Sequence, residues 1–244
     1  LGNPIGDHFG TANIFIVGKA PGLFWGYKTD GIIQTGESTA TGLPTSSKFV
    51  MTPGNIRVVD VTGDGIIDDK DKTIIGDPNP DFTYGFQTSL KVNDLTLSAS
   101  FNGVQGGQIF NGNRRYERMP SQQTANFTSE AYTNAWRANA QRNLYPSLTS
   151  SLKNEAYDMY IEDGSFLRCS DITLGYVLPE KTSKVIGFNT INIFASVKNS
   201  FLITEYSGYD PEMRTFSFDG LRPGIDLNSY TNPRQFVLGL NLGF

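Results

Sequence analysis

The most constraining feature of this sequence is an alternation of apolar and polar residues in short runs, clearest at 236–244. One side of an extended strand there carries Phe236, Leu238, Leu240, Leu242 and Phe244, and the other side carries Val237, Gly239, Asn241 and Gly243. A period of two is the signature of a β-strand that presents one apolar face. The pattern therefore predicts an all-β fold.

The same alternation recurs in four further runs, and two less regular stretches at 9–17 and 22–33 bring the predicted set to about seven strands. The predicted apolar faces are Phe82, Tyr84 and Phe86; Leu95, Leu97, Ala99 and Phe101; Phe166, Ile172, Leu174 and Tyr176; and Ile191, Ile193, Ala195 and Val197. The predicted polar faces include Asp171, Thr173, Gly175 and Asn192. Such strands suit a sheet that meets two different environments.

The connections between these strands alternate between short and long. Tight turns are predicted at 19–22 and 92–94, whereas 35–80, 103–163 and 204–234 are long. Loops above about 15 residues are unusual in compact soluble domains, and short turns at one end with long loops at the other are typical of outer-membrane barrels. The sequence predicts an antiparallel transmembrane β-barrel wall in the outer membrane, with the long loops extracellular.

Composition excludes several other classes of protein. The net charge is −4 and no dense Lys/Arg cluster is present, which argues against a nucleic-acid partner. The single cysteine, Cys169, and the single histidine, His8, rule out an intrachain disulfide, a His/Cys zinc site and a His-based triad. No nucleophile–base arrangement stands out, so the chain is not expected to be an enzyme. The start, Leu1 to Pro4, has no initiator methionine, and a longer polypeptide is expected.

Residues 60–71 have the spacing of an EF-hand-like calcium loop, with a glycine, Gly65, at the sharp-turn position 6. Ile67 is the apolar residue that would dock such a loop. Calcium takes six to eight oxygen ligands, and in this loop Thr and Asp replace the usual residues at positions 3 and 12. A structural Ca²⁺ site is predicted, with Mg²⁺ in its place or an Asx-rich turn that binds nothing as the alternatives. The predicted ligands are the side chains of Asp60, Thr62, Asp64, Asp68 and Asp71 and the main-chain carbonyl of Ile66.

Three aromatic residues in the second long loop are candidates for substrate binding by stacking on a sugar ring. They are Tyr116, next to the charged run 114–118, and Tyr132 and Trp136, in a predicted amphipathic loop helix at 129–138. Aromatic side chains in such positions more often pack than bind ligand.

Eight longer segments carry a resemblance to one known family: 26–34, 60–71, 75–86, 101–106, 161–168, 171–176, 206–212 and 232–244. These segments resemble the SusC/RagA-type TonB-dependent outer-membrane transporters of Bacteroidetes. In order and spacing they span nearly the whole chain.

The resemblance implies the C-terminal part, 1–244, of a barrel of about 22 strands, without the N-terminal plug domain and the first strands. It implies import of oligosaccharides or peptides, energised by the TonB complex through the plug. It also implies a SusD-like surface lipoprotein as partner, and it implies that the barrel assembly machinery recognises Phe244. Seven strands alone cannot close such a barrel, so pairing with the remaining strands is expected.

One alternative reading belongs to a different class of protein. A soluble, calcium-stabilised β-sandwich acting as a carbohydrate-binding module would also have alternating strands and a loop like 60–71. Folding as a monomer without detergent would favour the sandwich.

Overall fold

The computed structural model describes residues 12–114, 126, 128–140, 142, 144–151, 153–212, 215–216, 220–227 and 229–244. These residues form two compact units. The sheet unit comprises 80–106, 164–211 and 230–244, and the loop unit comprises the described residues of 1–79, 107–163 and 212–229. The predicted strand regions and the predicted long loops thus largely separate into different units.

The sheet unit is one antiparallel sheet of long strands. The strands are β6 (Phe82–Val92), β7 (Leu95–Gln105), β10 (Phe166–Val177), β11 (Thr190–Thr204) and β13 (Gln235–Gly243). Their order across the sheet is β13-β11-β10-β7-β6. A two-residue turn, in which Asn93 has φ of 52°, joins β6 to β7, and a connection containing helix α2 (Glu180–Val185) joins β10 to β11.

This sheet contains five of the seven predicted strands, and it does not close on itself within the described residues. The two irregular stretches, 9–17 and 22–33, are a correction to the prediction. Their described residues contain only short strands, which pair in other sheets of the loop unit. The physical reason is visible in the sequence, because neither stretch keeps a period of two over a length that could span a membrane.

The loop unit contains short strands: β1 (Asn13–Ile14), β2 (Leu23–Gly26), β3 (Thr29–Ile32), β4 (Ile56–Val58), β5 (Thr73–Gly76), β8 (Gln108–Asn111), β9 (Ile161–Asp163) and β12 (Ile225–Asp226). They form three small sheets, ordered β1-β2-β5, β12-β8-β9 and β3-β4. Its helices are α1 (Ser129–Asn134) and 3-10 turns at Thr39–Thr41, Asp69–Asp71 and Asp158–Tyr160. In the described part of the chain, no helix combines the length and apolar character needed to cross a membrane.

The loop unit is held together by an aromatic core. The ring of Tyr27 meets that of Phe49 edge-on at 4.9 Å, and Phe110 meets Tyr160 at 5.8 Å. Tyr157 packs near both Tyr27 and Tyr160. Edge-to-face pairs at these distances are favourable beyond the area they bury. Residues from all three chain segments contribute to this core, so the predicted long loops are parts of one folded unit.

Candidate functional site

One face of the sheet unit is apolar and exposed. Leu174 lies opposite Leu97 and Ala195, and Ala195 lies opposite Leu238, so these side chains form one row across four strands. Leu174, Leu97 and Leu238 are all exposed. The predicted grouping of Ile172, Leu174, Leu238 and Leu240 on one face is confirmed by this register.

Aromatic rings extend the same face. Phe86 is stacked on its cross-strand partner Phe101 at 4.5 Å, and Phe101 lies 6.2 Å from Phe201. A soluble protein rarely leaves a continuous apolar surface of this kind in water. The face is suited to hydrocarbon.

The opposite face is polar. Asp171 lies opposite Ser100 and Lys198, and its carboxylate accepts hydrogen bonds from the hydroxyls of Thr173 at 2.7 Å and Ser196 at 2.6 Å. On the next pair of strands, Asn192 lies opposite Asn241. The predicted placement of Asp171, Thr173, Asn192 and Asn241 on the second face is confirmed.

The predicted face of Phe166 is wrong, because a β-bulge interrupts β10 at Ser170. Cys169 and Asp171 pair with adjacent residues of β7, Phe101 and Ser100, so Ser170 is an extra residue in the ladder. A bulge reverses the alternation beyond it, and Phe166 therefore lies on the same face as Asp171. The sequence held a signal, since the polar residues Arg168 and Asp171 share a face only if an extra residue stands between them.

The EF-hand-like loop has the turn geometry that its spacing predicts. Gly65 has φ of +81°, a conformation that favours glycine, and Ile67 is fully buried. The Asp60 carboxylate accepts hydrogen bonds from the main-chain N–H groups of Gly63 and Gly65, each at 2.7 Å. Asp64 accepts one from the N–H of Ile66 at 2.9 Å.

Asp71 closes this loop from inside the protein. Its buried carboxylate accepts main-chain hydrogen bonds from Val61 and Thr62 at 3.0 Å each and from Asp68 at 2.8 Å, and a further bond from the Thr62 hydroxyl. Burial acts to raise the pKa of Asp71, but the hydrogen bonds outweigh it and the pKa is lowered.

The predicted metal ligands do not converge in this arrangement. Among the described residues, no group of three or more His, Cys, Asp or Glu side chains is placed to hold a metal ion. The loop carboxylates of Asp60 and Asp64 accept bonds from main-chain N–H groups instead. Calcium binding by Asp60, Thr62, Asp64, Ile66, Asp68 and Asp71 stays a prediction.

A network of charges next to this loop links three parts of the loop unit. The Lys48 ammonium donates to Asp69 and Glu155 at 2.7 Å each, and to the hydroxyl of Tyr27 at 3.2 Å. Lys72 reaches Glu155 at 3.1 Å, and both lysine nitrogens lie 5.3 Å from the centre of the Tyr27 ring. Sequence reasoning missed this network, because the residues are far apart in the chain.

The network shifts the pKa values of its members. Burial, followed by the hydrogen bond that its hydroxyl donates to Asp69, raises the pKa of Tyr27. Hydrogen bonds from Lys48 and Tyr27 lower the pKa of Asp69 to about 2. Burial acts to lower the pKa of Lys48, but the bonds to Asp69 and Glu155 outweigh it and raise the value. Tyr27 is therefore a neutral donor, and Asp69 and Lys48 are charged at neutral pH.

The two aromatic candidates for substrate binding that the structure describes, Tyr132 and Trp136, do not share one surface. Tyr116 lies outside the described residues. Trp136 is 9 % exposed and belongs to the core, where its indole N–H donates to Gln34 Oε1 at 2.9 Å, so it cannot stack on a sugar from that position. Tyr132 is 55 % exposed, with the Arg137 guanidinium 5.2 Å from its ring centre.

Relatives of known name match most of this chain. No protein-family model matches it. It is 32% identical over 234 residues to TonB-dependent receptor P3 of Formosa agariphila, a match that covers 93% of this chain and 22% of the receptor. It is 30% identical over 190 residues to TonB-dependent receptor SusC of Bacteroides thetaiotaomicron, covering 76% of this chain and 17% of that receptor. The chain thus spans about a fifth of the length of these relatives.

Solved structures show the same fold. The RagAB peptide importer in its open-open state matches with a TM-score of 0.69 at 23% identity, over 96% of this chain and 23% of that one. The closed-closed state matches with a TM-score of 0.66 over 97% of this chain and 25% of that one. The two curated relatives are named as TonB-dependent receptors, and neither name denotes an enzyme.

Proposed function

This chain belongs with the SusC/RagA-type TonB-dependent receptors over the stretch that it shares with them, and on that premise we propose that it forms part of the barrel wall of an outer-membrane importer. The imported molecules are oligosaccharides or peptides. The importer works with a SusD-like surface lipoprotein and draws energy from the TonB complex. The remaining strands and the plug complete the barrel.

The observation that carries this proposal is the two-faced sheet. Its rows of exposed apolar residues, such as Leu97, Leu174 and Leu238, lie on one side, while Asp171 and Thr173 lie on the other. A lipid-facing and a lumen-facing side alternate in this way in outer-membrane barrels. The open edges at β6 and β13 need partner strands, because unpaired main-chain groups are costly in lipid.

The cargo class rests on the relatives and on exposed polar and aromatic side chains of the loop unit. RagAB is a peptide importer by its name, which supports peptides. Tyr132 and Arg137 offer a stacking and charged surface that would suit either class of cargo.

Uptake by cells that carry the complete transporter tests the function. Deleting its gene should abolish uptake of at least one member of a panel of labelled oligosaccharides and peptides. A matched strain that lacks TonB should lose the same uptake, because the step needs energy. Unchanged uptake of the whole panel in both strains would rule out this import function.

We also propose that the 60–71 loop binds Ca²⁺ for a structural purpose, and that Phe244 is read by the barrel assembly machinery. The positive φ of Gly65 and the buried Ile67 support the first proposal, because calcium loops need both the turn and its apolar anchor. The apolar row that ends at Phe244 supports the second. Assembly kinetics of a Phe244→Ala variant, which should be slowed, compared with Asn241→Ala on the polar face, would test it.

A further inference from the structure

The connection between β10 and β11 exposes large apolar side chains in the sheet unit. Val185, the last residue of α2, is 87 % exposed, and Ile186 is 56 % exposed. Polar residues would serve equally well in a connection that only reverses the chain in water. Two adjacent aliphatic residues at this level of exposure indicate a surface that something apolar covers.

This connection is fixed to the end of the sheet. The N–H of Leu178 donates to the carbonyl of Ile191 and the N–H of Asn189 to that of Gly243, both at 2.8 Å. The carbonyl of the buried residue Ser183 accepts from the N–H of Phe188 at 3.0 Å. The exposed aliphatic pair is therefore held in place by main-chain hydrogen bonds.

Phe188 joins the connection to the apolar face of the sheet. Its ring centre lies 5.1 Å from that of Phe244, which is 88 % exposed. Phe244 follows Leu240 and Leu242 at the spacing of one strand face. The turn patch, as we name the surface formed by Val185, Ile186, Phe188 and Phe244, thus extends the apolar face past the last residue of β13.

The charges around the turn patch suit a phospholipid surface. The connection 178–189 carries Lys181, Lys184 and one acid, Glu180, which pairs with Lys184 at 2.5 Å. Lysines beside aliphatic and aromatic residues are the usual composition of segments that lie at the membrane interface, because phosphates attract the ammonium groups.

We propose that the turn patch is a membrane-interface anchor, with Val185 and Ile186 inserted at the boundary between phospholipid headgroups and acyl chains. Its occupant is the bilayer. Continuity with the apolar face of the sheet favours lipid over a protein partner at this place. The proposal rests on the barrel-wall function, and it assigns the β10–β11 connection a role that the strands do not have.

Fluorescent labelling of the intact transporter tests the anchor. Single cysteines at Val185, Leu240 and Thr39 are labelled with the environment-sensitive dye NBD, in a background where other reactive cysteines are replaced; Cys169 is fully buried. The transporter is placed in nanodiscs of phosphatidylethanolamine and phosphatidylglycerol, with or without lipids that carry a doxyl quencher, either near the headgroup or at the middle of the acyl chain. Leu240 is the lipid control, and the exposed Thr39, in the 35–80 loop, is the water control.

The anchor predicts blue-shifted emission at Val185 and loss of most of its fluorescence with doxyl lipid, as at Leu240 and unlike Thr39. An unquenched label at Val185 beside a quenched label at Leu240 would overturn the anchor and leave the barrel wall intact. Iodide, a quencher that stays in water, gives a third outcome. A Val185 label that neither doxyl lipid nor iodide quenches would mean that protein covers the turn patch, and this result would also overturn the anchor. Absence of quenching at both sites would reject the barrel wall itself.

Discussion

Arg168 donates a hydrogen bond through Nη2 to Oδ1 of Asp210 at 2.5 Å, and both side chains are more than nine-tenths buried. Arg168 belongs to β10, whereas Asp210 follows the end of β11, so the pair joins two parts of the sheet unit that are 42 residues apart in sequence. The Arg168 guanidinium also lies 5.8 Å from the ring of Phe166. Such a pair stabilises only while both charges are present.

Removing one charge of this pair should destabilise the intact transporter. Asp210→Asn removes the carboxylate to which the buried Arg168 guanidinium donates, a change that costs about 3–5 kcal/mol in comparable pairs. The double variant R168M/D210L should recover most of that loss, because neither charge remains. Denaturant unfolding in detergent measures the free energy, and a double variant no better than the single one would refute the pairing.

A charge should be far more harmful on one face of β13 than on the other. Leu240→Lys places an ammonium on the apolar face, at a cost of about 2–4 kcal/mol near the middle of a bilayer. Asn241→Lys places it on the polar face, opposite Asn192. The amount of heat-modifiable barrel in outer membranes should fall sharply for the first variant and little for the second. Equal tolerance of both would contradict a lipid-facing sheet.

Alanine variants at two glycines of the loop unit should distinguish the cost of a steric clash from the cost of backbone strain. Gly54 and Gly36 have φ of +89° and +92°, so alanine strains the backbone at either position. A Cβ at Gly54 would also lie 2.8 Å from Trp136 Cε3 and 2.9 Å from Ser147 Cβ, whereas at Gly36 it meets nothing within 4 Å. Gly54→Ala should therefore cost about 1–3 kcal/mol more than Gly36→Ala. Denaturant titration followed by Trp fluorescence measures the difference.

Acid should loosen the loop unit in a defined pH window. The pKa of Asp69 is lowered from 3.8 to about 2, so its ion pair with Lys48 contributes fully above the ordinary value and is lost as the pH falls through about 2. Pepsin, which is active in this range, should begin to cut the 45–72 segment of the intact transporter as the pH drops from about 4 towards 2.

The Asp69→Asn variant should be cut in that segment already at about pH 4, because its ion pair with Lys48 is absent at every pH. Asp30→Asn, which removes an exposed carboxylate 3.9 Å from Arg57, is the matched control and should behave as the wild type does. Identical pepsin profiles for Asp69→Asn and wild type would exclude a role for this carboxylate.

Calcium content is the remaining prediction for the 60–71 loop. Asp64 makes one main-chain hydrogen bond, to Ile66, so Asp64→Ala removes a predicted ligand with little change to the loop. Purified wild type should contain about one Ca²⁺ at this loop, and the variant should lose it, as expected for a site with several oxygen ligands. Metal analysis measures this, with Asp30→Ala as control. Equal calcium in wild type and Asp64→Ala would contradict a calcium site in this loop.

The sheet unit could be predicted well because its signal is local. A period of two over a segment such as β13 predicts that the segment is a strand, which residues share each face, and which face is apolar. The prediction failed at Phe166, since one inserted residue, Ser170, reverses the faces and composition hardly marks it. The pair Arg168–Asp210 is non-local, and no spacing rule connects its members.

Apart from the turn at Gly65 and its buried anchor Ile67, the loop unit could not be predicted, for a related reason. Its strands are two to four residues long, too short for a readable period. Trp136 lies in a segment that resembles a surface helix, but it packs against a core supplied largely by distant segments, including Phe49 and Ile225. The burial of Trp136 depends on residues that are distant in sequence, so the sequence around Trp136 does not predict it.

The aromatic core shared by the three loop segments restricts how the exposed surface of such a protein can change. Tyr27, Phe110 and Ile225 come from three separate segments, and each needs the others to stay buried. A graft that exchanges one segment with that of a relative must therefore bring matching core residues in the other two. New ligand preferences can arise more readily by replacing exposed side chains such as Tyr132 than by changing the length of a whole loop.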